Sequence, residues 1–140
     1  MHSVPIRFAA FATFLAASAA LAGLVLTGLY VDAPNWAQQV RGTDLATLFL
    51  AVPVLAIGLW ASMRGSSAGR LAVVAVLLYL VYNYAIFAFA VAMNPLTVVH
   101  IAILSLSLWR LVLAGRDAVE EVETTTHSLN LHLAGGTLAG

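Results

Sequence analysis

Four long stretches of this chain are apolar almost without interruption, and the polar residues collect between them. The first covers residues 8–31, broken only by Thr13, Ser18, Thr27 and Tyr30; the others cover 45–63, 71–93 and 96–114. Crossing the hydrocarbon core of a bilayer takes about 20 apolar residues in an α-helix, so each stretch is long enough to span. The pattern predicts an all-α fold, an integral membrane four-helix bundle occupying residues 1–116, with a polar, partly disordered tail over 117–140. A cleavable signal peptide is the competing reading of the first stretch. Arg7 precedes it and Ala17-Ser18-Ala19 or Ala20-Leu21-Ala22 would pass as cleavage sites, but the apolar run continues well past both.

Short turns connect the stretches. Residues 64–70 read R-G-S-S-A-G-R, and Met93-Asn94-Pro95-Leu96 is a tight reversal with proline placed to open the next helix. The longest connection covers 32–43, where Asp32-Ala33-Pro34-Asn35-Trp36-Ala37-Gln38-Gln39 suggests a short separate helix lying flat on the membrane. Pro53 interrupts the second stretch. Its ring and missing N–H predict a kink near Phe49, tolerable where neighbouring helices satisfy the freed carbonyl.

Charge supplies the orientation. All six basic residues are arginine, and Arg7, Arg64, Arg70, Arg110 and Arg116 fall on one side, against Arg41 with Asp32 and Asp44 on the other. The positive-inside tendency therefore predicts both termini in the cytoplasm. Trp60 and Trp109 are expected to anchor the inner interface, and Tyr30 and Trp36 the outer one. Arg110, beside Trp109, is expected to snorkel to the cytoplasmic interface.

Composition agrees with the pattern. Hydrophobic residues make up 62% of the 140 and charged residues 9%, against about 25% charged in soluble domains, which is too little to coat a water-facing surface. Scattered single arginines give no nucleic-acid surface. Absence of cysteine removes disulfides, thiolate metal sites and thiol redox chemistry.

In lipid, helices associate by close backbone approach and a few hydrogen bonds. Ala9, Ala12, Ala16, Ala19 and Gly23 form a small-residue stripe suited to this, although alanine is common throughout the chain. Polar residues inside spans are the natural site candidates. Asp44 opens the second span, with Thr47, Ala51, Leu55 and Gly58 continuing its face. Tyr79, Tyr82 and Asn83 share a face of the third, and Thr97, His100, Leu104 and Ser107 share one of the fourth. Convergence of these faces predicts an outward-opening pocket in which Asp44 pairs with His100 while Asn83 and Tyr79 line the floor. Such a pair suits proton-coupled binding or transport. The plainer reading, preferred here, makes these residues interhelical hydrogen-bond partners, with Asp44 capping the second span. Tyr84 falls off the Tyr79 face and is expected to meet headgroups or another subunit.

No nucleophile motif, phosphate loop or zinc-type pairing appears, so no catalytic or metal-binding residues are assigned. Haem between histidines is disfavoured because only His100, of His2, His100, His127 and His132, lies in a span; no cofactor is expected.

Gly42-Thr43-Asp44-Leu45-Ala46-Thr47-Leu48, Val52-Pro53, Arg64-Gly65-Ser66, Gly69-Arg70-Leu71, the tyrosines from Tyr79 to Tyr84 and Asn94-Pro95-Leu96 together resemble a family of uncharacterised bacterial multi-pass membrane proteins. The likeness covers about residues 29–107. It implies a multi-pass helical fold in a bacterial inner (plasma) membrane and carries no catalytic residue. Members of that family are expected to continue into further helices, so the polar tail from Asp117 suggests a shortened form. Three functions remain open: a structural, accessory or small-ligand-binding membrane component, self-associating or joined to a partner membrane subunit; a proton-linked transporter or channel subunit using Asp44, Asn83 and His100; and an intramembrane enzyme using the same residues.

Overall fold

The computed structural model describes the backbone of residues 3–26 and 28–136 and the side chains of residues 7–26 and 28–117. Among the described residues the chain is all-helical. Helix α1 covers Ser3–Val25. Helix α2 (Pro34–Ala46), a π-helical turn (Thr47–Ala51) and α3 (Val52–Met63) form one continuous rod, followed by α4 (Ser67–Phe89) and α5 (Thr97–Gly136). Four segments are long and apolar enough to cross a membrane: Arg7–Val25, Pro34–Met63, Ser67–Phe89 and Thr97–Asp117. The backbone of α5 continues past the last of these to Gly136, and the glycine-containing end at 137–140 lies outside the described residues.

The rods pack in a closed ring. α1 lies against α5 and against the α2–α3 rod, α3 against α4, and α4 against α5. Alternating direction brings Arg7, Arg64, Arg70, Arg110 and Arg116 to one end of the bundle, called here the arginine end, and the 26–33 and 90–96 connections to the far end.

Burial is sorted by size rather than by polarity. On α1 the inward residues are Ala9, Ala12, Ala16, Ala19 and Ala20, all essentially inaccessible, whereas Phe8, Phe11, Phe14, Leu21 and Val25 face outward. The same holds around the ring, where Phe49, Leu50, Ile57, Leu71, Leu78, Phe89, Ile101 and Leu108 are exposed. A continuous exposed belt of this kind is far larger than the patches soluble monomers carry, and it matches hydrocarbon as the surrounding medium. The alanine stripe read from the sequence is thus a packing seam that lets α1 sit close to its neighbours.

The connection between α1 and α2 is shorter than the sequence suggested. No separate flat helix precedes the second span, because α2 begins at Pro34 in the first turn and runs unbroken through Asp44. Proline at that position is preorganised for helix and forfeits only an N–H that would lack an intrahelical partner anyway. No breaker stronger than Gly42 comes between Pro34 and Asp44. Asp44 is therefore a helix-interior residue and not a cap. The 30-residue rod from Pro34 to Met63 is about 45 Å long, more than the roughly 30 Å of hydrocarbon in a bilayer, which such a rod would cross only by projecting or tilting.

Where the sequence predicts a kink near Phe49, the structure has a π turn over Thr47–Ala51. The Val52 N–H donates to the carbonyl of Thr47, five residues back. Pro53 cannot donate to the Phe49 carbonyl, and widening the preceding turn re-routes the ladder without breaking the rod. The face expected for this rod is the buried one, with Asp44, Thr47, Ala51, Leu55 and Gly58 all turned inward.

At the arginine end, α3 closes with a Schellman arrangement. The Gly65 N–H reaches the Ser62 carbonyl at 3.0 Å and the Ser66 N–H reaches that of Ala61 at 3.1 Å, with Gly65 at φ +84°, where glycine carries no Cβ penalty. Ser66 then caps α4 by accepting from the Gly69 N–H at 3.2 Å. The two helices depart in backbone contact. A Cβ on Gly69 would lie 2.6 Å from the Ser62 nitrogen and 2.9 Å from the Ala61 carbonyl carbon.

At the far end, Asn94 organises the reversal: its Oδ1 accepts from the Leu96 N–H at 2.9 Å, and Thr97 Oγ1 accepts from the Asn94 N–H at 3.0 Å. The carboxylate of Asp32 accepts from the Ala92 N–H at 3.0 Å, fastening the first connection to the end of α4.

Candidate functional site

The buried polar residues form a layer near the far end, built by four segments. Tyr30 comes from the α1–α2 connection, Asp44 from α2, Tyr84 and Phe87 from α4, and His100 from α5. All five are buried. Tyr30 donates its phenol to Asp44 Oδ2 at 2.7 Å. Burial first, and then the hydrogen bond to Asp44 and its charge, push the Tyr30 phenol above its usual range, so the group keeps its proton and remains a donor. α1 makes room by having glycine at 23, where a Cβ would overlap both the Asp44 carboxylate and the Tyr30 hydroxyl.

His100 is held as a ring. Its centroid lies 4.7 Å from that of Phe87 at 66° and 5.6 Å from that of Tyr84, and Tyr30 meets Phe87 edge-on at 6.2 Å; such offset and edge contacts are the favoured geometries of aromatic pairs. Neither His100 nitrogen has a hydrogen-bond partner, and the Tyr84 hydroxyl also lacks one. The expected Asp44–His100 pair is therefore not made. Asp44 turned instead to Tyr30, a donor that local spacing does not point to.

One turn deeper, Tyr79 and Thr47 share a hydrogen bond between their hydroxyls at 3.1 Å. The Tyr79 hydroxyl also lies 3.5 Å from the Thr43 carbonyl, and Asn83 Nδ2 donates to the Tyr79 carbonyl at 3.0 Å. Of the four site candidates, Asp44 thus ties α2 to the α1–α2 connection, Tyr79 ties α4 to the π turn, Asn83 bonds within α4, and His100 stands among aromatic rings.

Three expectations about neighbouring residues are corrected. Tyr84 is 1% exposed and belongs to the interior, because α4 is rotated so that Leu77, Leu80, Tyr84 and Phe87 face inward while Tyr82 is exposed. Tyr30 is a core residue and not a headgroup anchor. Arg110 is buried and does not snorkel outward. Trp60 and Trp109 are exposed at the arginine end, with the Arg64 guanidinium 3.9 Å above the Trp60 ring, a cation–π contact.

A shallow depression opens at the far end between Leu26, Gly28, Leu29, Val31, Met93, Asn94 and Pro95. Its walls are mostly apolar and none of the buried polar layer lines it. No cluster of three or more His, Asp or Glu side chains with metal-binding geometry occurs among the described residues. Compared with protein-family models, curated proteins and solved structures, the chain matches none.

Proposed function

We propose that this chain is an integral, multi-pass component of a bacterial inner membrane with a structural or accessory role, acting alone, with further copies or beside a partner subunit. The observation that carries this reading is the use made of its polar interior. Asp44 holds Tyr30 and Thr47 holds Tyr79, each joining segments distant in sequence, while alanine and glycine draw the backbones together. Polar side chains spent on interhelical bonds are what a bundle needs where water cannot drive association. The arginine distribution supports cytoplasmic termini.

A rival reading, a proton-linked transporter or channel subunit, draws support from the unpartnered buried groups of Tyr84 and His100 beside Asp44. Reconstitution separates the two. Under the structural reading, liposomes carrying the wild-type chain show no pH-gradient-driven proton or solute flux above empty liposomes, and Asp44→Asn and His100→Ala alter only detergent stability. Wild-type flux lost in a folded Asp44→Asn or His100→Ala variant overturns the structural reading in favour of transport.

A further inference from the structure

The arginine end holds a second group of buried polar side chains that the interhelical ties leave unused. Arg110 is 2% exposed, and its Nε and one terminal guanidinium nitrogen are buried without a hydrogen-bond partner. On the preceding turn of the same inward face of α5, Ser107 is inaccessible and its Oγ lacks a partner as well. α5 packs against α4 and α1. The inward residues of α1 toward this end are Ala9 and Ala12, whose methyl groups supply no acceptor.

A guanidinium withdrawn from water without a hydrogen-bond acceptor is strongly unfavourable, and the carboxylate of Asp117 on the same helix adds a charge interaction but no hydrogen bond to either unpartnered nitrogen. Arginine near the end of a span normally reaches for the interface, as the exposed Arg116 does. Arg110 turns the other way and brings a serine hydroxyl with it. We propose that Ser107 and Arg110 form an oxyanion site for a phosphate group, supplied by an anionic phospholipid headgroup or by free phosphate. Phosphate presents acceptor oxygens in tetrahedral directions, so one group satisfies donors spread around a guanidinium together with a neighbouring hydroxyl. Trp109 is exposed beside the site, and basic pockets between spans on the cytoplasmic side recruit anionic lipids.

Thermal unfolding of the purified full chain in neutral detergent tests the site, with phosphatidylglycerol, phosphatidylcholine and inorganic phosphate as separate additives. A saturable rise in Tm of several degrees is expected with phosphatidylglycerol or with inorganic phosphate; the first result assigns the site to lipid and the second to a soluble anion. Arg110→Gln should abolish the rise, Arg110→Lys should keep part of it, and Ser107→Ala should weaken half-saturation about tenfold. No rise with either additive in the wild type overturns the proposal, as does an equal rise with phosphatidylcholine or an unchanged rise in Arg110→Gln. Should Arg110→Gln not fold, Ser107→Ala decides: half-saturation equal to wild type overturns the site.

Discussion

Replacing Gly69 by alanine is expected to cost this bundle about 1–3 kcal/mol, with larger losses within reach because the obstruction is backbone. The added methyl would stand 2.6 Å from the Ser62 nitrogen and 2.8 Å from the Ala61 Cβ. Neither atom can move unless α3 and α4 part. Parting them disturbs Gly58 as well, whose own Cβ position is 3.2 Å from Val73 Cγ2 and 3.3 Å from the Gly69 carbonyl oxygen. The control is Gly42→Ala. Gly42 lies inside α2 with nothing within 4 Å of its Cβ position, so alanine there should be neutral or stabilise by about 0.5–1 kcal/mol through helix propensity. Unfolding midpoints of both variants in a detergent–denaturant titration provide the comparison. A Gly69→Ala protein as stable as the wild type would show that the two helices do not meet backbone to backbone.

Asp44→Ala is the second large effect. It strands the buried Tyr30 hydroxyl and opens a gap beside Gly23, with an expected loss of about 1–3 kcal/mol. Tyr30→Phe should cost a comparable amount, because it leaves a buried carboxyl without its donor. The double variant removes both partners together and should lose clearly less than the two single losses combined, the difference falling within about 0.5–3 kcal/mol. Strictly additive losses would mean that the 2.7 Å contact contributes no coupling. His100→Phe tests the neighbouring ring contacts: an apolar ring of similar shape should be tolerated if His100 serves mainly by packing against Phe87 and Tyr84.

The sequence made the rods legible but not all of their rotations. Four stretches of spanning length are unmistakable in a chain with so few charges, and the face from Asp44 through Gly58 could be followed because it carries polar and small residues. α4 was harder. In hydrocarbon both sides of a helix are apolar, so hydropathy does not say which side is inward, and Tyr79, Tyr82, Asn83 and Tyr84 offer polar atoms in several directions. Packing against α3 through Gly69 and against α5 turns Tyr84 inward and leaves Tyr82 outside. The Tyr30–Asp44 bond joins a connection to a helix interior across 14 positions, and neither periodicity nor a local motif signals such a pair. Gly23 is the available clue: in the sequence it continues an alanine stripe, and in the structure it clears space for a carboxylate. Around Asn35 and Trp36 the polarity of the sequence suggests a separate surface helix and masks the continuity of the rod that Pro34 begins.

The central claim is that the rods cross hydrocarbon and place their two sets of connections in opposite compartments. Because the chain has no cysteine, single cysteines can be introduced at Ser67, in the first turn of α4, and at Asn35, in the first turn of α2, both exposed. Labelling with a membrane-impermeant thiol reagent in sealed right-side-out and inside-out vesicles is the most direct measurement. Asn35→Cys should react only in right-side-out vesicles and Ser67→Cys only in inside-out ones, whereas labelling of both from the same side would contradict the account.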